Sequence, residues 1–283
     1  MKGSVLMKTT LSIKKILQIL TIILAVTMIV PSSWAQDEKD DATELAKKLA
    51  NPVAALISVP VQYNYDKNYG PEDDGYVNLV NVQPVIPFSM NDEWNIITRT
   101  IIPYKDQHDI PMKDMEEAGL GDITASQFFS PKAPTAGGLI WGVGPVELLP
   151  TASHDVLGGE QWGLGPTAVA LKQMGGWTIG LLTSHIWSLG GEDTRSNINL
   201  TSLQPIFSYI TKTKTTLGVT TESSYDWEEN HWSVPVIAQV SQLFKIGPQI
   251  LQFSLGGKYW AASPDNGPEG WGMRVQLTFL FPK

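Results

Sequence analysis

The last strand-like segment constrains this chain more than any other feature. Trp271, Met273, Val275, Leu277, Phe279 and Phe281 are apolar and fall on alternate positions, with Gly272, Arg274, Gln276, Thr278 and Leu280 between them. Side chains of a strand point to its two faces in turn, so one face is wholly apolar and the other carries Arg, Gln and Thr. A sandwich strand in a soluble protein runs to about five or six residues. Eleven residues with an aromatic at each end of the apolar face fit a tilted membrane-spanning strand of about 9–11 residues.

The N-terminus reads as a targeting segment. Lys2, Lys8, Lys14 and Lys15 form a positive region, Ile16 to Val30 is mostly apolar, and Ser33 and Ala35 are small residues before Gln36. This is the pattern of a secretory signal peptide, 1–35, cleaved before Gln36. The alternative is an uncleaved anchor helix, but a membrane helix needs about 20 apolar residues. The chain has no Cys, so a lipid anchor at that point and disulfide staples are both excluded. Loss of the four signal lysines takes the formal charge from −8 to −12, which argues against nucleic acid as a partner. No later run of 18 apolar residues exists, and strands that alternate would hide from such a count.

Residues 36–54 open with Asp37, Glu38, Asp40 and Asp41 and continue through Thr43 to Ala50 with helix-compatible residues. Acids at the start and Lys47 and Lys48 near the end suit the helix dipole, and Pro52 stops the helix. A short helix on the periplasmic side is expected; a disordered tail is the alternative. Residues 55–283 are expected to form the barrel. Twelve strand-like segments follow, roughly 55–66, 76–88, 94–104, 120–129, 139–149, 161–173, 177–188, 196–209, 214–224, 231–243, 249–261 and 269–281. Every second connection is short, such as Met174–Gly176 and Phe244–Pro248, and the others are longer or more acidic, such as Lys105–Gly119 and Pro150–Glu160. That asymmetry belongs to outer-membrane barrels, with both termini on the short-turn side. Prolines within several segments, among them Pro60, Pro84, Pro87, Pro145, Pro166, Pro205 and Pro235, predict bulges.

Aromatics recur at both ends of the segments. Trp94, Trp141, Trp177 and Phe281 fall on the short-turn side and Trp187, Trp232, Trp260 and Trp271 on the long-loop side, as two girdles at headgroup level. Arg99, Glu222, Gln239, Gln252, Lys258, Arg274 and Gln276 fall on the opposite, polar face. Arg or Lys at mid-depth in hydrocarbon costs about 2–4 kcal/mol, so this set is expected to line the lumen. Those residues line a polar passage or, equally, pair with one another and fill a closed lumen. The expected fold class is therefore an all-β antiparallel outer-membrane barrel of about twelve strands with a short N-terminal helix; a soluble β-sandwich is the alternative.

Several blocks carry a family resemblance. Asn81-Val82-Gln83-Pro84-Val85-Ile86-Pro87, Gly119-Leu120-Gly121-Asp122-Ile123 and Trp162-Gly163-Leu164-Gly165-Pro166-Thr167, with Leu203-Gln204-Pro205, Thr221-Glu222-Ser223 and the terminal strand, resemble the bacterial phenol meta-pathway (MetA) degradation transporter-like family. The resemblance spans about residues 50–283 and implies a Gram-negative outer-membrane barrel that moves small compounds, often aromatic or hydrophobic. It specifies the barrel well and the substrate poorly. One departure is that Pro282-Lys283 follow Phe281, whereas an outer-membrane assembly signal commonly ends on an aromatic. The expected partners are outer-membrane lipid, the barrel-assembly machinery through the C-terminal strand, and a small-molecule solute.

No phosphate-binding glycine loop or cysteine metal site occurs, so no cofactor, metal or enzyme activity is expected. His108 and His154 read as solvated residues of outer loops near acids, and His185 shares the face of Leu181 and Trp187. His231-Trp232-Ser233 places a His and a Ser on one strand face, the seed of a lipid hydrolase, but nothing else in that pattern is present. A non-transporting structural or receptor barrel is the remaining alternative to a porin-like transporter.

Overall fold

The computed structural model describes residues 36–282; the expected signal segment and its cleavage point lie outside them. Helix α1 (Gln36–Leu49) precedes fifteen strand pieces. In chain order these are β1 (Ile57–Tyr69), β2 (Gly75–Val82), β3 (Val85–Ser89), β4 (Trp94–His108), β5 (Glu116–Leu120), β6 (Ile123–Pro131), β7 (Leu139–Leu149) and β8 (Gln161–Met174). Then come β9 (Trp177–Gly191), β10 (Asn199–Ile210), β11 (Thr215–Thr221), β12 (Ser223–Asp226), β13 (His231–Ile246), β14 (Gln249–Ala262) and β15 (Gly270–Phe281).

Three strands are broken into two pieces, β2–β3 at Gln83-Pro84, β5–β6 at Gly121-Asp122 and β11–β12 at Glu222, so the fifteen pieces make twelve strands. Neighbours pair antiparallel all the way round, with β9 against β10 and β15 against β1, which closes the barrel. Closure leaves no unpaired sheet edge. At the seam Leu277 lies opposite Val61 and Gln276 opposite Gln62, so apolar meets apolar on the outside and amide meets amide within. The last seam pair is Ile57 with Phe281, and Pro282 lies just beyond it.

Turn chemistry sets the short end. Gly175 and Gly247 open two-residue turns at φ +59° and +58°, a left-handed conformation that costs glycine no steric clash. Proline marks the irregularities: Pro84 follows the break after β2, Pro235 sits at a register shift in β13, and Pro145 faces Pro166 across β7 and β8.

One expectation is corrected here. The loop expected over Lys105–Gly119 is shorter, because Asp106, Gln107 and His108 pair with Ala118, Glu117 and Glu116 and extend the hairpin. His108 is consequently a buried strand residue, not a solvated one. Its ring stacks on Tyr76 at 4.4 Å, between Asp106 at 3.0 Å and Glu116 at 3.2 Å.

The expected short N-terminal helix forms as α1. Its second half and the residues after it enter the short-turn end of the barrel. Lys214 in the β10–β11 turn donates to Thr43 Oγ1, and Gln173 Nε2 donates to the Lys47 carbonyl at 2.9 Å. Asn51 and Pro52 then turn the chain, with the Val53 amide donating to Asn51 Oδ1 at 3.0 Å. Ala46, Ala54 and Leu56 pack on Ile210, Leu243 and Leu280, and Val53 packs against Ile97, Phe128, Val169, Leu171 and Leu182. The cause lies in the wall. These inward residues are apolar, and without a cover they would face water. Each buried Val or Leu contributes roughly 1.5–3 kcal/mol, against about 0.5–1.5 kcal/mol for a hydrogen bond, so apolar contact is the main hold on this segment.

Candidate functional site in the barrel lumen

Beyond Val53 and Leu56 the inner wall turns polar. Arg274 on β15 carries the centre of this belt. Its Nη1 and Nη2 donate to the two carboxylate oxygens of Glu222 at 2.7 and 2.8 Å, and its Nε donates to Asn64 Oδ1 at 2.7 Å. Glu222 sits at the β11–β12 break, so the pair reaches past the inner faces of β13 and β14. Arg274 keeps only 5 % of its side chain exposed, whereas Glu222 keeps 38 % open to the lumen. Around them Gln62 Nε2 donates to Gln276 Oε1 at 3.0 Å, Asn64 Nδ2 to Gln62 Oε1 at 3.1 Å, and Arg99 Nη2 to Gln83 Oε1 at 3.0 Å.

A cavity of about 200 Å³ lies between this belt and the N-terminal segment. Arg99, Glu222, Gln239, Gln252, Arg274 and Gln276 all line it, and Lys48, Leu49 and Pro52 close its lower side. Lys258, the seventh residue expected inside, lies on the inner face above the cavity. Its Nζ donates to Asp66 Oδ2 at 2.7 Å.

Trp260 corrects one expectation of the girdles. It shares the Lys258 face of β14, and its Nε1 donates to Asp66 Oδ1 at 2.8 Å inside the barrel. The strand period places residue 260 with 258, and Asp66 offers the indole a partner that lipid lacks. The other seven aromatics lie on the outer face. Trp94 meets Trp141 edge to face at 5.8 Å, Trp177 packs on Tyr209 at 4.6 Å, and Trp187 on His185 at 4.0 Å. Trp232 packs on Tyr225 at 5.0 Å, Trp271 on Tyr259 at 5.1 Å, and Phe281 is exposed.

The long-loop end is narrowed by the β7–β8 loop. Its Leu157 is fully buried, and Lys105 Nζ on the inner face of β4 donates to the Leu157 carbonyl at 2.8 Å. Asp122, at the β5–β6 break, accepts from the backbone amides of Thr151 and Ala152 at 3.1 Å and of Gly159 at 2.6 Å. Arg195 of the β9–β10 loop donates to the Asp155 and Gly158 carbonyls and pairs with Glu160 at 2.6 Å. Gly119 makes room for this fold: a Cβ there would lie 1.9 Å from Ser153 Oγ.

Sequence reasoning did not include Asp66, Asn64, Gln62 or Gln83 in the lumen set, nor foresee that the N-terminal segment enters the barrel. The first three follow from the strand period, since residues 58, 62, 64 and 66 share one face. Among the described residues no group of three His, Cys, Asp or Glu is placed to hold a metal ion. His231 and Ser233 make no hydrogen bond with each other among the described residues.

No protein-family model matches the sequence, and no curated protein does. Solved structures do match. An outer-membrane channel from Pseudomonas putida F1 superposes with a TM-score of 0.63 at 15 % identity, over 80 % of this chain and 96 % of that one. The NanC porin gives a TM-score of 0.49 at 9 % identity, over 79 % of this chain and 98 % of that one. At this identity the likeness is one of fold, a closed antiparallel β-barrel like that of the Pseudomonas outer-membrane channel.

Proposed function

We propose that the chain is an outer-membrane channel that passes small solutes through its lumen and is held closed by its own N-terminal segment. The carrying observation is the polar cavity between the Arg274–Glu222 belt and that segment. Arg274, Glu222, Arg99 and the glutamines are the contact residues of the passage. The sequence blocks named above support placing the chain with the phenol meta-pathway degradation transporter-like family, with small aromatic or hydrophobic compounds as cargo. In the same reading the signal peptide is cleaved, the outer aromatics meet lipid headgroups, and the C-terminal strand engages the assembly machinery. No enzymatic role is proposed.

Planar-bilayer conductance tests this. The mature chain is expected to conduct weakly, and a variant lacking residues 36–54 several-fold more. The apolar contacts of Ala46, Val53 and Ala54 are the barrier that the deletion removes. Absence of ion or solute flux in both forms overturns the channel reading. It would favour the second one, a non-transporting barrel, for which the buried inner face speaks.

A further inference from the structure

We infer that the lumen cavity is a binding site for a small monocarboxylate with a short apolar tail, its carboxylate held by Arg99. The inference rests on the lumen being the solute path. A guanidinium has five N–H donors in a fixed fork. Arg274 uses three of its donors, on Glu222 and Asn64. Arg99, lining the same cavity, makes one hydrogen bond among the described residues, to the neutral Gln83 amide. Among the described residues it has no carboxylate within 4.0 Å. Among the described residues Glu222 makes no hydrogen bond to it; its two oxygens accept from Arg274.

A second observation is independent of charge. Gln204, Gln239 and Gln252 line the cavity, and among the described residues their side-chain amides have no hydrogen-bond partner. Gln252 is only 8 % exposed. Amides that open onto the cavity offer donors and acceptors to a ligand with polar atoms. A planar anion matches the Arg99 fork with two parallel bonds, which an ammonium or neutral solute does not. The cavity floor supplies the other half of the recognition. Leu49, Pro52, Ala54 and Leu56 of the N-terminal segment line it, so a short apolar tail rests on the element that closes the barrel. At about 200 Å³ the space suits a compact acid and not an oligosaccharide or peptide.

The test is calorimetric titration of the folded mature chain in detergent micelles, with benzoate as probe and benzamide as its neutral counterpart. Benzoate is expected to bind saturably, benzamide about tenfold or more weaker, and Arg99→Gln to lose about tenfold or more for benzoate alone. Equal affinity for the two probes, or Arg99→Gln binding benzoate as the unaltered chain does, overturns the site. So does the lack of saturable benzoate binding. Should Arg99→Gln not fold, Gln239→Leu and Gln252→Leu carry the test; together they are expected to weaken benzoate several-fold, and unchanged affinity overturns the proposal. Binding in micelles is separate from flux. Binding without flux overturns the channel alone, and flux without binding overturns the carboxylate site alone.

Discussion

Asp66 and Lys258 meet at 2.7 Å with 5 % of each side chain exposed. Removing one charge from such a pair strands the other. Asp66→Asn is expected to cost about 3–5 kcal/mol, read from urea unfolding of the barrel in micelles. Asp66→Asn with Lys258→Met should recover most of that loss, because neither charge is then left buried. A double variant as unstable as the single one would show that the ion pair is not the origin of the effect. The alternation that made Lys258, Arg274 and Gln276 legible from sequence also held Asp66 and Trp260, which share the period. Trp260 was misplaced because its position at a strand end outweighed its parity. Which polar residues pair across the lumen was not legible, since Arg274 reaches Glu222 across a sequence separation of 52 and only barrel closure brings them together.

At the scale of elements, the β7–β8 loop owes its inward fold to few groups. Asp122 accepts three backbone amides of that loop and Arg195 clamps two of its carbonyls. Asp122→Ala should release the loop while leaving the strands intact, since a carboxylate hydrogen-bonded to backbone amides is worth about 1.5–3 kcal/mol. The readout is limited proteolysis of the folded protein, with faster cleavage inside 150–160 expected and an unchanged rate counting against the role. The strands themselves were readable because alternation is local. The docking of the N-terminal segment was not, although Ile97, Phe128, Val169, Leu171 and Leu182 are apolar on the inward face. Apolar residues on the lumen side of several adjacent strands need a cover, and that is the signal that points to an internal plug.

For the whole molecule, the two faces of each strand meet different solvents. Leu277 lies on the outer face near the middle of β15, between Val61 and Phe253. Leu277→Arg should destabilise the barrel by about 2–4 kcal/mol when unfolding is followed in lipid bilayers, and Leu277→Phe by much less. Equal effects would mean that this face does not meet hydrocarbon. The closed seam has a consequence in time. The contacts that join its two sides, Gln62 with Gln276 and Arg274 with Asn64, link positions 214 and 210 residues apart. Hairpins form from neighbours, but this zipper waits for both ends of the chain, and loops that long close slowly. The N-terminal segment is covalently continuous with β1, one lip of that zipper. The polypeptide that stoppers the vessel is therefore delivered to its mouth by the same late event that makes the vessel whole, and a half-built wall has no stopper in place.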